Sequence, residues 1–525
     1  MNADVLLANL PALLIAIPLF GAFLTPVIGR FLPSIRDAWV ILASFVSSVV
    51  AILLAAQVYA KGTIVYVFGA APGVGTIPAD SGGIPIRILF AIDGFGALML
   101  ISAAIVSFAV ILYLTLSQSK RSYRSEFYAL YLLLTAGIFG MVSTGDMFNF
   151  FVFLEINSLA ASALIAYHRN GGLAAEGALK YLIVNTVGAL MILFAIGLLY
   201  AQYNSLNMAV IASQISLTSL NILALVLFIA GLATKAGAVP FHFATPDAYS
   251  VAPSGITALM IVASQAGLYG MFRILFSVYG HVFTSETIGW VIIILGVLSM
   301  FIGVTMAIPQ KDIKRLLSYH AVSQTGYMLL GVGVALAVLG DIALTDAFGR
   351  MAMEGGLFHI INHAMYKGLL FLAVGAVIYR TGVWNLNEMG GLGHKMKWTM
   401  IFFLIGALAI AGIPPFNGFA SKLMIYESTF AFNPALAVIA MVVSILTLAS
   451  FMKVFHSVFM GPQLPEYEKV REVPKRMLAG MAILAFFVVA FGLVPDLVVN
   501  TLVAPAADAL LNQGQYIASV LGGGL

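Results

Sequence analysis

Residues 221–250 read NILALVLFIAGLATKAGAVPFHFATPDAYS. The stretch from Asn221 to Thr234 carries no charge and shows no alternation of apolar and polar residues. A membrane-spanning strand would alternate over about 9–11 residues, whereas a helix needs roughly 20 predominantly apolar residues to cross about 30 Å of hydrocarbon. The run is therefore the helical kind. Gly237-Ala-Val-Pro240-Phe241 then interrupts it, because proline cannot donate the helical hydrogen bond and glycine weakens the turn, so a break is expected near Pro240. Irregular backbone at membrane depth is tolerated only where protein or a water-filled cavity satisfies it. A break here points to an ion or substrate site, or to a packing kink.

Runs of the same kind recur along the chain. Taken from the N-terminus they occupy residues 5–29, 38–60, 89–117, 127–145, 147–167, 174–201, 221–250, 252–279, 287–308, 316–340, 355–380, 398–430, 433–460 and 476–499. The expectation is an all-α polytopic membrane protein of about fourteen transmembrane helices. Composition agrees: of 525 residues 62% are apolar and 9% charged, against about 45–50% and about 25% in soluble domains, too little polar surface to face water all round. The chain has no Cys, which excludes disulfides, thiolate metal sites and Cys-ligated iron–sulfur clusters. Its net charge of +4 gives no reason to expect nucleic acid as a partner.

The basic residues supply an orientation. With both termini outside, the inner loops carry sixteen Lys and Arg, among them Lys311, Lys314, Arg315 and the PEYEKVREVPKR stretch 465–476, against three in the outer loops. That stretch reads as a solvated inner loop. The first run lacks a basic leader and a small-residue cleavage site and is expected to be retained. TIVYVFGA (63–70) and IPIRI (84–88) flank a Gly/Pro-rich middle and read as an outer β-hairpin, while residues 500–525 read as an interfacial tail.

Two short motifs repeat. KYLIVNTVGA from Lys180 answers KGLLFLAVGA from Lys367, and Gly237–Phe241 answers Gly412-Ile-Pro414-Pro415-Phe416, both GxxPF. In segment order these pair the sixth with the eleventh and the seventh with the twelfth. An odd offset turns the second copy upside down, so the expected organisation is two inverted five-helix repeats with breaks at Pro240 and at Pro414–Pro415. The corresponding units are 1–126 with the outer hairpin, 127–279, 287–460, and 461–525.

A handful of ionisable residues then stand inside the runs. Lys235 precedes the first break and Lys422 follows the second; an ammonium at that depth costs roughly 2.5–3.5 kcal/mol on insertion scales and needs a partner or a task. Glu155, nine residues into the fifth segment, lies about 13 Å deep at 1.5 Å per residue and is the natural counter-ion for Lys235. The pair is either functional or a structural buried ion pair. His359, His363 and Lys367 recur at spacing four and line one helix face. They could relay protons, or the histidines could donate to helix carbonyls in the bundle; with no adjacent Glu and no thiolate, no metal site is expected. His320 is a further candidate of the same sort, as is His242 after the first break.

GLATKAGAVPFHFATPDAYSVAPSGITALM (231–260), KDIKRLLSYHAVSQTGYMLLGVG (311–333), GLFHIINHAMYKGLLFLAVGAVI (356–378) and AIAGIPPFNGFASKLMI (409–425) resemble the signature stretches of a known family. It is the antiporter-like proton-translocating subunits of respiratory complex I, of membrane-bound hydrogenases and related ferredoxin-driven complexes, and of Mrp-type Na⁺/H⁺ antiporters. AIDGFGALML (91–100) and DMFNFFVFLEINSLAA (146–161) add to it. The resemblance implies that Glu155 and Lys235 form the family's carboxylate–lysine pair, that His359, His363 and Lys367 form its central row, and that Lys422 is its terminal lysine. Asp247 matches the acid after the broken helix and Lys180 the lysine of the sixth helix. It further implies a subunit that is not catalytic alone and holds no cofactor. Its partners would be other membrane subunits, peripheral redox subunits carrying iron–sulfur clusters, the lipid bilayer, and H⁺ or Na⁺ as cargo. One position departs: where family members commonly have Lys or His in the eighth helix, ITALMIVASQAGLYG has Ile261 and Gln265, and an amide does not titrate near neutral pH. Either the two halves are joined by ordered water alone, or this copy has altered ion specificity or weakened conduction. An autonomous transporter of a small solute, or a structural subunit that has lost conduction, are the other readings.

Overall fold

The computed structural model describes residues 3–69, 88–117, 123–167, 172–282 and 285–522. Helix occupies every one of the expected runs. The principal helices are α1 (Leu10–Phe31), α2 (Arg36–Lys61), α3 (Gly94–Ser117), α4 (Arg124–Met141), α5 (Met147–Ile165) and α6 (Gly172–Tyr203). Then come α7 (Ser219–Ala236), α8 (Ala244–Val251), α9 (Ser254–Phe272), α10 (Ser285–Ala307), α11 (Ile313–Ala337) and α12 (Arg350–Thr381). The chain continues through α13 (Lys397–Ala411), α14 (Asn417–Phe432), α15 (Pro434–Phe459), α16 (Lys475–Leu493), α17 (Ala504–Leu511) and α18 (Gln513–Leu521). Among the described residues eleven helices are long and apolar enough to cross a membrane. Several starts are set by a side chain that accepts from an otherwise unpaired backbone N–H: Asp146 from Asn149, Thr218 from Asn221, Asp312 from Arg315 and Asn433 from Ala435.

Both expected breaks are present, and they are built alike. α7 ends at Gly237 (φ +69°) and α13 at Gly412 (φ +78°), a left-handed conformation that a side chain would strain. In each the next residue donates back five positions, Ala238 to the Ala233 carbonyl at 2.9 Å and Ile413 to the Leu408 carbonyl at 3.0 Å. This is a helix-ending loop that uses two of the four carbonyls the helix leaves free. Val239–Pro240 and Pro414–Pro415 are both cis, and α8 and α14 resume the chain beyond them.

α12 is the axis of the bundle. It is buried along its length and packs against α9, α11, α13, α14 and α16. α10 and α11 lie backbone to backbone, and a Cβ on Gly326 would sit 2.4 Å from the Gly296 carbonyl, so only glycine fits that crossing. The outward faces of α1, α2, α6 and α15 expose Phe20, Phe23, Leu42, Leu190, Phe194 and Ile445, which suits lipid or neighbouring membrane subunits.

One expectation needs correction. The hairpin pairs Ile64–Val67 (β1) with Leu89–Ile92 (β2), in antiparallel register Ile64 to Ile92. Ile84–Arg87 lie outside the described residues, so the second strand is LFAI, which the third run had counted as helix. β2 is also bonded on its other edge, Ala91 to the Ser143 carbonyl and Gly145 to the Leu89 carbonyl, so all four residues are buried and show no alternation. An unalternating buried strand looks like the beginning of an apolar helix. The 465–476 loop is largely exposed and also braces α13: the Glu472 carboxylate accepts from the backbone N–H groups of Trp398 (2.9 Å) and Thr399 (3.3 Å) and from the Thr399 hydroxyl (2.6 Å), capping that helix. The C-terminal tail lays one face against the bundle, with Ala506, Ala507, Leu510, Tyr516 and Val520 buried.

Arg273, near the end of the eighth run, is fully buried. α9 continues as a wider π-helical turn from Arg273 to Tyr279. There the guanidinium meets Asp93, at the start of α3, through two bonds of 2.6 and 2.7 Å, and receives the face of Tyr516 from α18 at 5.1 Å. Gln513 donates to the Ser277 and Val278 carbonyls of the same turn at 3.3 and 3.0 Å. One bidentate ion pair thus ties α3, α9 and the C-terminal tail together. Removing Asp93 by Ala leaves a buried guanidinium uncompensated and should cost about 3–5 kcal/mol, read as lowered thermal stability of the detergent-solubilised protein, with Asp93→Asn less damaging.

Candidate functional site

The residues singled out in the runs fall along one buried line. At one end Glu155 of α5 faces Lys235 at the end of α7, Oε1 to Nζ 3.5 Å. The shortest bond of the ammonium is to the Ser158 hydroxyl, one turn along α5, at 2.7 Å. Lys235 is buried while the Glu155 side chain keeps 25% of its surface on the outward face of α5, beside exposed Val152 and Leu159. The pair is therefore loose, with the carboxylate at the rim.

α9 passes directly over this lysine: a Cβ on Gly267 would lie 3.1 Å from that of Lys235. Two residues earlier on α9, the Gln265 amide nitrogen donates to the Ile360 carbonyl at 2.8 Å and to His363 Nδ1 at 2.9 Å, both on α12. Because the carbonyl can only accept, the amide nitrogen must face it, and Nδ1 must then be the accepting ring nitrogen. The proton of the neutral imidazole sits on Nε2. Gln265 thus contacts the central row directly through His363.

On the same face of α12, His359 Nδ1 meets the Ser421 hydroxyl of α14 at 3.0 Å, and its Nε2 meets the Gln324 oxygen of α11 and the Tyr366 hydroxyl, both at 3.2 Å. Lys367 lies one turn beyond His363, wholly buried; its ammonium has no hydrogen-bond partner among the described residues and is flanked by the rings of Phe371 and Phe451, each 5.6 Å away. Ser421 adjoins Lys422 in the chain. That ammonium donates to the Ile410 carbonyl at 2.7 Å and the Ser444 hydroxyl at 3.0 Å, and stands 4.5 Å over the Tyr327 ring. Ser444 in turn donates to the Ala411 carbonyl at 2.9 Å. The last two carbonyls freed by the second break are thus answered by Lys422 and Ser444.

Other expected residues lie elsewhere. Lys180 is half exposed and ion-paired with Glu176 at 2.7 Å and Asp247 at 2.9 Å, apart from the buried row. Asp247 also holds Arg315 at 2.9 Å, making a charge cluster where α6, α8 and α11 meet. His320 is buried, with Nε2 2.8 Å from the Ser450 hydroxyl. His242 stacks beside Phe243 with Nδ1 unpartnered. The pair His359 and His363 binds separate partners and gathers no further ligand: among the described residues no three His, Asp or Glu come together as a metal site.

Sequence reading missed Lys314, counted as a loop residue but buried in the first turn of α11, where it donates to the Ala252 carbonyl at the end of α8. It missed Ser158, Ser421 and Ser444, which no spacing marks. Gln324 was findable: His320, Gln324 and Tyr327 recur at spacing four and three and share a face of α11.

Comparison with known proteins follows the same line. Residues 144–447 match the family described as NADH:quinone oxidoreductase/Mrp antiporter, TM. The chain is 33% identical, over 94% of its length and 98% of the relative's, to NADH-quinone oxidoreductase subunit N of Desulforudis audaxviator. It is 32% identical, over 90% and 91%, to a Na(+)/H(+) antiporter subunit of Alkalihalophilus pseudofirmus. Among solved structures it superposes on a chain of the Mrp complex of a Dietzia species with TM-score 0.83 at 27% identity, covering 99% of this chain and 100% of that one. It superposes on a chain of the membrane-bound sulfane sulfur reductase, an archaeal respiratory membrane complex, with TM-score 0.84 at 29% identity over 98% and 100%.

The junction at Gln265 can be tested without any flux measurement. Gln265→Leu leaves His363 Nδ1 buried and unpaired and should lower stability by about 1–3 kcal/mol, whereas Gln265→His, able to renew the contact, should lose less in the same thermal unfolding assay.

Proposed function

The chain belongs to the NADH:quinone oxidoreductase/Mrp antiporter transmembrane family, and from that premise we propose how its own residues serve ion movement. It is an integral membrane, ion-translocating subunit of a multisubunit complex. The cargo is the proton, exchanged for Na⁺ if its companions are of the Mrp kind. Protons are held in turn on Lys235, Lys367 and Lys422, with Glu155 releasing or clamping Lys235, His359 and His363 carrying them between, and Gln265 joining the first half to the second. Both termini lie on the outer side, and the units 127–279 and 287–460 act as two inverted half-channels. Peripheral subunits bearing iron–sulfur clusters would drive it, since the chain has no Cys to ligate one.

The observation that carries this reading is a row of buried polar groups across the bundle, Lys235, Gln265, His363, His359, Lys367 and Lys422, joined between facing helices at Lys235–Ser158, Gln265–His363 and His359–Ser421. A solute transporter would gather such groups around one pocket; here they are strung across the bundle. A conduction-dead structural subunit is disfavoured by the direct Gln265–His363 contact.

Reconstituted into vesicles with its partner subunits, the complex carrying Lys235→Ala or Lys422→Ala should lose about a hundredfold or more of its proton flux, the worth of a proton-transfer group. Glu155→Gln should lose less, and assembly of the complex should survive in all three. Undiminished flux in the lysine variants would end this reading. Repeating the flux with and without sodium separates proton pumping from exchange.

A further inference from the structure

α11 and α15 place a second chain of polar groups beside the main line, running from it to the end of the bundle that carries Lys453. His320 is wholly buried; its Nε2 pairs with the Ser450 hydroxyl at 2.8 Å, and its Nδ1 has no protein partner. The imidazole lies 4.8 Å from the Phe451 ring, and the unpartnered Lys367 ammonium lies 5.6 Å from the same ring. One turn farther along α15, exposed Lys453 donates to the Ile308 and Gln310 carbonyls at 2.8 and 3.1 Å, where α10 ends. Measured along the helices, Ser450 is nine residues from the end of α15 and Lys367 fourteen from the end of α12, so the histidine stands between the surface and the lysine. A buried imidazole with one nitrogen unbonded, next to a buried ammonium with no hydrogen-bond partner among the described residues, is an arrangement that packing alone does not ask for.

We propose that His320, with Ser450, is the proton inlet or outlet that connects Lys367 to the Lys453 end of the bundle, and that the Phe451 ring is the partition between them. The inference rests on the reading of Lys367 as a proton carrier. A proton from solution is taken up by the imidazole, whose other nitrogen faces Ser450; when the ring of Phe451 turns aside, the imidazolium gives a proton to the neutral Lys367 amine, leaving imidazole and ammonium. The reverse sequence releases one. No other reactant is required. The charged groups that face His320 from neighbouring helices are Lys367 of α12, Lys422 of α14 and Lys453 of α15, all basic. Being lysines, none of them can serve the imidazolium as an ion-pair partner, which suits a relay and does not suit a structural ion pair. Asp247, on α8 against the same helix, is already held by Lys180 and Arg315.

The test uses the whole complex in vesicles. His320→Gln should lower proton flux about tenfold or more with the complex intact. His320→Gly should be equally slow and should be restored by imidazole in the medium, with the restored rate following the pKa across a series of substituted imidazoles, a behaviour that a packing role cannot produce. Ser450→Ala, the loss of one oxygen, should slow flux several-fold and stands in if the histidine variants fail to assemble. Full flux in His320→Gln or in Ser450→Ala, or no restoration of His320→Gly by any imidazole, overturns the assignment. Lys367→Ala is run alongside: if it too keeps full flux, the carrier role itself falls, whereas a dead Lys367→Ala beside an active His320→Gln removes only the inlet.

Discussion

At membrane depth no solvent stands ready to bond a carbonyl or an ammonium, so every broken helix and every lysine must be answered from within the chain. The second break meets both demands with one contact. α13 stops at Ala411, its last free carbonyls at Ile410 and Ala411 turn inward, and the Lys422 ammonium and Ser444 hydroxyl fill them. The end of a helix carries roughly half a negative charge, so Lys422 has a counter-charge without any acid nearby. Lys235 is held otherwise, by Ser158 and by a carboxylate 3.5 Å away that reaches the outer face of α5. Its counter-charge can be moved by something outside the chain, while that of Lys422 is fixed in the backbone. Lys367 has neither, only two aromatic faces, which makes it the least supported charge of the three.

That gradient bears on Gln265. An amide cannot pass a proton by titrating, yet it does what the junction needs geometrically. By donating to both the Ile360 carbonyl and His363 Nδ1 it fixes the imidazole tautomer and leaves Nε2 buried without a hydrogen-bond partner among the described residues. Gln265 is therefore placed as an orienting group for His363.

Much of this was legible in the sequence. The runs were visible because an unalternating apolar stretch of about 20 residues has few other uses, and the breaks because Gly and Pro at GxxPF act through local backbone rules. Glu155, Lys235, His359, His363, Lys367 and Lys422 stood out because charge inside such runs is rare. What stayed hidden depends on pairing across the bundle. β2 was read as helix since a strand bonded on both edges loses its alternation. Lys180 and Lys314 exchanged places: the first sits within a run yet reaches Asp247 at the surface, the second sits in a charged turn yet folds inward to the end of α8. The serines that hold the lysines carry no periodic signal, because a hydroxyl in a transmembrane helix usually bonds its own backbone. Asp93 and Arg273, 180 positions apart, could be joined only by the fold.

A network built for stability leaves few of its buried polar atoms unpaired: around Asp93 both carboxylate oxygens are bonded, and of the guanidinium nitrogens of Arg273 Nε alone lacks a hydrogen-bond partner among the described residues. Along the axis such atoms gather. Glu155 Oε1, Gln265 Oε1, His320 Nδ1, Gln324 Nε2, His363 Nε2, Lys367 Nζ and Tyr426 OH are all buried without a hydrogen-bond partner among the described residues. A fully satisfied chain of bonds would hold each proton in a well, since leaving would cost the whole desolvation of the group left behind. Half-satisfied groups on rigid, close-packed helices keep that well shallow while the surrounding bundle prevents collapse onto them. The stability is supplied elsewhere, by the glycine-lined crossing of α10 with α11 and by the Asp93–Arg273 clamp, so the axis can remain incompletely bonded, the condition under which a proton can be both received and released.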